Sequence, residues 1–174
     1  AAGTYTVTVT DGNGCTLTQT ATVATPAPLT ATLAPTPVSC NGGANGAVTA
    51  NVTGGISGYT YSWTPSGSTG SQITGLTAGT YSVIVTDING CTFTTTTSVS
   101  EPAPIIFNTS STPALCGNTN GTVDATAPTG GNGPFTYSWT PGGMTSSNPT
   151  GLAAGGYTVT VTDASGCTAS NFAN

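Results

Sequence analysis

Apolar and polar residues alternate with a period of two through most of this chain. The run Tyr81-Ser-Val-Ile-Val-Thr86 sets Tyr81, Val83 and Val85 on one face of a strand, with mostly Ser and Thr opposite. The run returns as Tyr5–Thr10 and as Tyr157–Thr162. Each copy leads into Asp-x-(Asn/Ser)-Gly-Cys, at Asp11 to Cys15, Asp87 to Cys91 and Asp163 to Cys167. An Asx-capable residue followed by Gly between two β runs predicts a hairpin, with a Thr-rich returning strand such as Thr92–Val99. Upstream lie Tyr59-Thr-Tyr-Ser-Trp63 and Phe135-Thr-Tyr-Ser-Trp139, whose alternation puts three aromatics on one face, as in the core of a two-layer sandwich. Further strands are predicted at residues 29–33, 47–53 and 72–76, and at residues 105–109, 122–126 and 149–152. No segment has the 3.6-residue apolar period of a helix.

These elements recur with a fixed step. Cys15, Cys91 and Cys167 stand 76 residues apart, as do Cys40 and Cys116, Trp63 and Trp139, and the Pro-Ala-Pro segments at 26–28 and 102–104. Six or seven short strands per step, with frequent turn signals, predict an all-β chain of tandem immunoglobulin-like β-sandwich domains with a 76-residue repeat. The expected units are 28–101 and 104–172, with 1–25 as the C-terminal hairpin of a preceding, truncated repeat. The sequence is thus expected to be a window on a longer array, in which the hairpin's Tyr-Val-Val face completes another domain of the same chain or of a neighbouring subunit. A solvated hairpin would run against that expectation. The Pro-Ala-Pro seams predict stiff, extended connections. Arrays of this kind build length, reach or multivalent surface rather than a single reaction centre.

Composition narrows the functions open to such an array. The 174 residues include no Lys, Arg or His, and five acidic residues give a formal charge of −5. With no cation to neutralise phosphates, nucleic-acid binding and attraction to anionic membrane surfaces are excluded. Only 3% of residues are charged, yet 36% are hydrophobic and fall in alternating runs, which favours folded β-structure over a disordered stalk. No apolar stretch approaches the roughly 20 residues that span a bilayer, so no membrane insertion is expected in this segment. Catalysis lacks its parts: nucleophilic and acid–base mechanisms need a tuned base, and the chain has neither His nor Lys and only one Glu. No enzyme and no cofactor is expected.

The ordered set Ser39-Cys-Asn-Gly-Gly-Ala-Asn-Gly46, then Gly-Gly, Tyr-x-Tyr-Ser-Trp, Gly-Leu-x-Ala-Gly-x-Tyr and Thr-Asp-x-x-Gly-Cys resembles the SprB repeat. That repeat is found in very large surface adhesins of gliding Bacteroidetes and in related secreted proteins. The second unit departs from the pattern, with Leu115-Cys-Gly-Asn-Thr-Asn-Gly121 in place of the Cys-Asn-Gly-Gly form. The resemblance implies an extracellular or cell-surface location and export by the type IX route, and no defined ligand. The corresponding function is a non-enzymatic structural filament, stalk or adhesin segment; the alternative is an array of carbohydrate-binding modules. Expected partners are copies of the chain or further repeats of it, with surface glycans as a further option.

In an exported array, two cysteines per unit read as one bridge per unit, Cys40 with Cys91 and Cys116 with Cys167, and buried free thiols are the alternative. Cys15 is then left unpaired by truncation. Zinc is disfavoured, since His and C-x-x-C are both missing. Calcium asks for several carboxylates among 6–8 oxygens; Asp11, Asp87 and Asp163 are instead expected to accept backbone N–H bonds in their own turns. No metal site follows. Tyr61 and Trp63 are the sugar-stacking candidates, but their spacing fits a core strand. Asn51, Asn108 and Asn120 each open an Asn-x-Ser/Thr acceptor for glycosylation. The abundant Thr fits a solvated sheet, while O-glycosylation and an ice-binding array remain open.

Overall fold

The computed structural model describes residues 1–174 and is built entirely of strands and loops. Strands β1 (Gly3–Thr10) and β2 (Thr16–Val23) form a two-stranded hairpin. The first full repeat contributes β3 (Thr30–Thr36), β4 (Gly46–Thr53), β5 (Thr60–Thr64), β6 (Gln72–Leu76), β7 (Gly79–Thr86) and β8 (Thr92–Val99). The second contributes β9 (Thr109–Thr112), β10 (Gly121–Ala125), β11 (Thr136–Thr140), β12 (Thr150–Leu152), β13 (Tyr157–Thr162) and β14 (Thr168–Ala173). Sheet orders are β3-β4-β6 and β5-β7-β8 in the first repeat, and β9-β10-β12 and β11-β13-β14 in the second. The 76-residue step is therefore a step in topology as well as in sequence.

Compaction does not follow the repeat boundary. One compact unit comprises Ala1–Thr32, Ala50–Ser71 and Ser82–Thr95; the other comprises Leu33–Thr49, Gln72–Tyr81 and Thr96–Asn174. The second unit thus unites the whole second repeat with one end of the first.

Within that second unit, the core joins Phe107, Val123, Ala125, Trp139, Val159, Val161 and Ala173 from both sheets of the second repeat, which makes it a sandwich. Trp139 lies opposite Val159 and Tyr137 opposite Val161 in the β11–β13 register, so the two alternating patterns meet on one face. The indole N–H of Trp139 donates to the Ser146 carbonyl at 2.9 Å, which satisfies the polar edge of an otherwise fully buried ring. The hydroxyls of Thr109 and Ser111 on β9 donate to the carbonyls of Phe172 and Asn174, so β9 and β14 run in the same direction along one corner of the sandwich.

In the first unit, β5 pairs with β7 with Trp63 opposite Val83 and Tyr61 opposite Val85; Trp63, Val83 and Val85 are buried. The β1–β2 hairpin pairs Gly3 with Val23 through to Thr10 with Thr16. Its Tyr5, Val7 and Val9 are 51%, 59% and 61% exposed, although they occupy the positions of Tyr81, Val83 and Val85 one step later. The hairpin stands solvated.

The opening strand of the second repeat lies later than the alternation predicts, at Thr109–Thr112 rather than 105–109. Residues 103–106 are committed elsewhere. The Ala103 carbonyl accepts from Gly131 N–H at 2.8 Å, and Ile106 exchanges backbone bonds with Thr129. Strand β3 likewise runs Thr30–Thr36, extending beyond the predicted 29–33.

Candidate functional site

The chemistry concentrated in this chain lies at the seam between the repeats, within the second compact unit. A disulfide joins Cys40 to Cys167, 127 residues apart in sequence, with Cα atoms 5.5 Å apart. Cys15, Cys91 and Cys116 are free and exposed. The bridges expected inside each repeat, Cys40–Cys91 and Cys116–Cys167, are therefore not formed.

Strand directions in the second repeat explain the difference. Strand β10 is antiparallel to both β9 and β12, and β13 is antiparallel to both β11 and β14. Because β14 follows the direction of β9, β11 and β12 also run the same way. The reversal between them is made by the irregular stretch 141–147, where the Ser147 carbonyl receives the N–H of Ala125, at the far end of β10 from Gly121. That reversal sends the β13–β14 hairpin to the opposite pole from the β9–β10 loop. Cys167 lies at one pole and Cys116 at the other, separated by the six residues of β13, roughly 20 Å of extended chain. A disulfide needs Cα atoms within about 7 Å. Cys40 corresponds to Cys116, so the cysteine that meets Cys167 comes from the adjoining pole of the neighbouring repeat.

Polar contacts reinforce the bridge. Gly42 N–H donates to the Glu101 carboxylate at 2.6 Å, the Asn41 amide donates to the Pro102 carbonyl at 3.2 Å, and Val38 N–H donates to the Ser100 carbonyl at 2.9 Å. The Pro-Ala-Pro segment then docks on the Gly-Gly turn of the second repeat. A Cβ at Gly130 (φ +73°) would stand 2.0 Å from the Pro104 carbonyl oxygen, so only glycine admits this approach. Beside the bridge lies a cavity of about 440 Å³, bounded by Cys40, Asn41, the segment 102–105, Gly131, Asp163 and 166–169.

Asp163 builds the hairpin that presents Cys167. One carboxylate oxygen accepts the N–H groups of Ser165 and Cys167 at 2.8 and 2.9 Å, and the other accepts Asn132 N–H at 2.8 Å. Asp87 repeats the pattern with Asn89, Cys91 and Ile56, and Asp11 with Asn13 and Cys15. Asp87 and Asp163 are buried, yet their carboxyls are held below the ordinary Asp range. The N–H of Ile56 or Asn132 is the largest cause, burial pushes the other way, and the remaining turn N–H groups add to the lowering. These carboxylates act as turn-builders, as the spacing predicts.

The remaining candidates are scattered. Trp63 and Trp139 are 1% and 0% exposed, so neither indole face can stack on a sugar; Tyr61 is half-buried in the same strand. Asn51, Asn108 and Asn120 are exposed, but the Asn120 side-chain oxygen accepts Leu115 N–H at 2.9 Å within its own loop. Threonines of the first hairpin pair across its strands, with hydroxyl contacts between Thr8 and Thr18 at 3.1 Å. No helix is long and apolar enough to cross a membrane.

A chain of all-β repeats joined through a covalent seam is the class that fold and site together define. The sequence pattern of the SprB repeat matches residues 32–68 and 108–144, two segments offset by the same 76 residues. Among solved structures, the chain is similar to a C-terminal 282-residue fragment of intimin, determined in complex with the intimin-binding domain of the translocated intimin receptor. The identity is 17% and the TM-score 0.40, and the match covers 84% of this chain and 63% of that one. The chain thus spans under two thirds of that fragment. No curated protein matches the chain.

Proposed function

We propose that this chain is a non-enzymatic segment of an extracellular structural array, a stalk, filament or adhesin shaft built from SprB repeats, whose task is to carry length and direction. The observation that carries this reading is the Cys40–Cys167 bridge between successive repeats, set among the seam hydrogen bonds of Glu101, Asn41 and Val38. A disulfide inside a domain stabilises that domain alone. One across a seam restricts the angle between domains and transmits tension past the linker. Persistent disulfides belong to oxidising compartments, which accords with an exterior location. The absence of any Lys or Arg also removes every site for trypsin-like proteases.

Small-angle scattering on oxidised and reduced protein tests the reading. A shaft keeps one narrow distribution of end-to-end distances when oxidised and broadens on reduction or in Cys40→Ser. Identical broad distributions in both states would reduce the repeats to beads on a flexible tether. The alternative array of carbohydrate-binding modules loses its carriers with the burial of both tryptophans.

A further inference from the structure

A covalent bridge changes which parts of a chain carry load. Cys40 and Cys167 lie 127 residues apart in sequence, but their Cα atoms stand 5.5 Å apart. Strands β4 to β13 all fall between them. So do Trp63 and Trp139, with the buried valines Val83, Val85, Val159 and Val161. Tension applied before Cys40 and after Cys167 passes from sulfur to sulfur, because an S–S bond yields only by breaking. The hydrogen bonds and apolar contacts inside the closed loop stay off that path.

What remains on the path is largely extended already. Strand β3 (Thr30–Thr36) leads towards Cys40, and β14 starts directly after Cys167, at Thr168, and runs to Ala173. A strand rises about 3.3 Å per residue, close to the limit of a stretched chain, so tension along either one lengthens it little. The β1–β2 hairpin folds back instead. Its Gly3 and Val23 lie opposite each other, so tension on the two ends opens the ladder pair by pair, for a gain of about 65–70 Å. The closed loop holds far more, roughly 420–460 Å of chain between Cys40 and Cys167. The cavity of about 440 Å³ beside the bridge has both cysteines in its wall, which gives a small thiol a route to the sulfurs.

We propose that the Cys40–Cys167 bridge makes this segment a load bypass with stored length. Tension runs around both tryptophan cores while the bridge is closed, and a small thiol releases the loop. The release is thiol–disulfide exchange. A small thiolate bonds one bridge sulfur as the S–S bond breaks, and the other cysteine leaves with the electron pair as a thiolate, which takes up a proton from water. A second small thiolate then displaces the first cysteine and leaves as part of a small-molecule disulfide. Once the bridge is open, the cores carry the load and unfold in turn. The mechanical role rests on the array reading; the bypass itself follows from the connectivity of the bridge.

The test pulls single oxidised molecules in optical tweezers through handles on the two chain termini. With the bridge closed, the length gained is that of the hairpin alone, with no later step up to forces that unfold the reduced protein. Held at constant force in added dithiothreitol, each molecule is expected to gain a further contour length of roughly 420–460 Å, after a wait that shortens in proportion to thiol concentration. Oxidised molecules that give the long steps without thiol overturn the bypass, and a wait independent of thiol concentration overturns the release. Cys40→Ser, which cannot bridge to Cys167, should give the full length from the start. Should that variant fail to fold, the oxidised parent pulled before and after reduction makes the same comparison. Either failure leaves the array reading standing, because the scattering measurement reads the stiffness of the shaft without load.

Discussion

Single residues set the seam by what they leave out as much as by what they supply. Gly130 admits the Pro104 carbonyl only because it has no Cβ. Gly130→Ala adds a backbone clash to a left-handed φ and should destabilise the second repeat by about 1–3 kcal/mol, read as a lowered denaturant midpoint. The turn aspartates make a pH-dependent contribution of definite sign. Their carboxyls lie lower folded than unfolded, so their stabilisation is complete above the ordinary Asp value of about 4 and is lost as pH falls through the folded value. Asp163→Asn should therefore be less stable than the parent at neutral pH, with the gap closing in denaturant titrations as pH falls below the ordinary Asp range. A gap that stays constant with pH would mean that the carboxylate charge plays no part in holding the turn. The turn-building role of these aspartates was legible in the sequence, because two of the donors lie two and four residues away; the third, Ile56 or Asn132 N–H, lies 31 residues off and was not. The partner of Glu101 was not, since Gly42 N–H lies 59 residues off and reaches the carboxylate only once the pole is built.

At the scale of strands, period-two alternation located the tyrosine, aromatic and glutamine strands because each has one face in a core. The shift of the second repeat's first strand escaped it, since the apolar Ile105-Ile-Phe107 run serves the seam and the core without pairing as a ladder. The reversal through 141–147 also escaped. It is made of turn residues with no alternation to read, yet it decides which pole carries Cys167. Equivalent strands differ in what covers them. Val159 is fully buried, whereas Val7, two steps earlier, is 59% exposed. Val159→Thr places a hydroxyl in the core and should cost about 1–3 kcal/mol, while Val7→Thr should change stability by less than about 0.5 kcal/mol. Thermal melts of the pair check this directly, and equal losses would mean that the first hairpin is packed in solution.

For the whole molecule, the period identified the repeat and the fold class, but it paired the cysteines within units, whereas the chain joins Cys40 to Cys167. Nothing local distinguishes the two schemes: each joins one loop cysteine to one hairpin cysteine, and only strand direction decides. Closing a 127-residue loop stabilises the folded state by about 5 kcal/mol in the chain-entropy description. Cys40→Ser should therefore lower unfolding free energy by up to that amount, and Cys91→Ser should leave it nearly unchanged. The most direct measurement is a disulfide map of the intact chain after thiol blocking and chymotryptic digestion without reduction, since trypsin has no site here. The expected result is one linked pair, the Cys40 peptide with the Cys167 peptide, and blocked thiols at Cys15, Cys91 and Cys116. Linked peptides joining Cys40 to Cys91 or Cys116 to Cys167 would contradict a seam held by a covalent bridge between repeats.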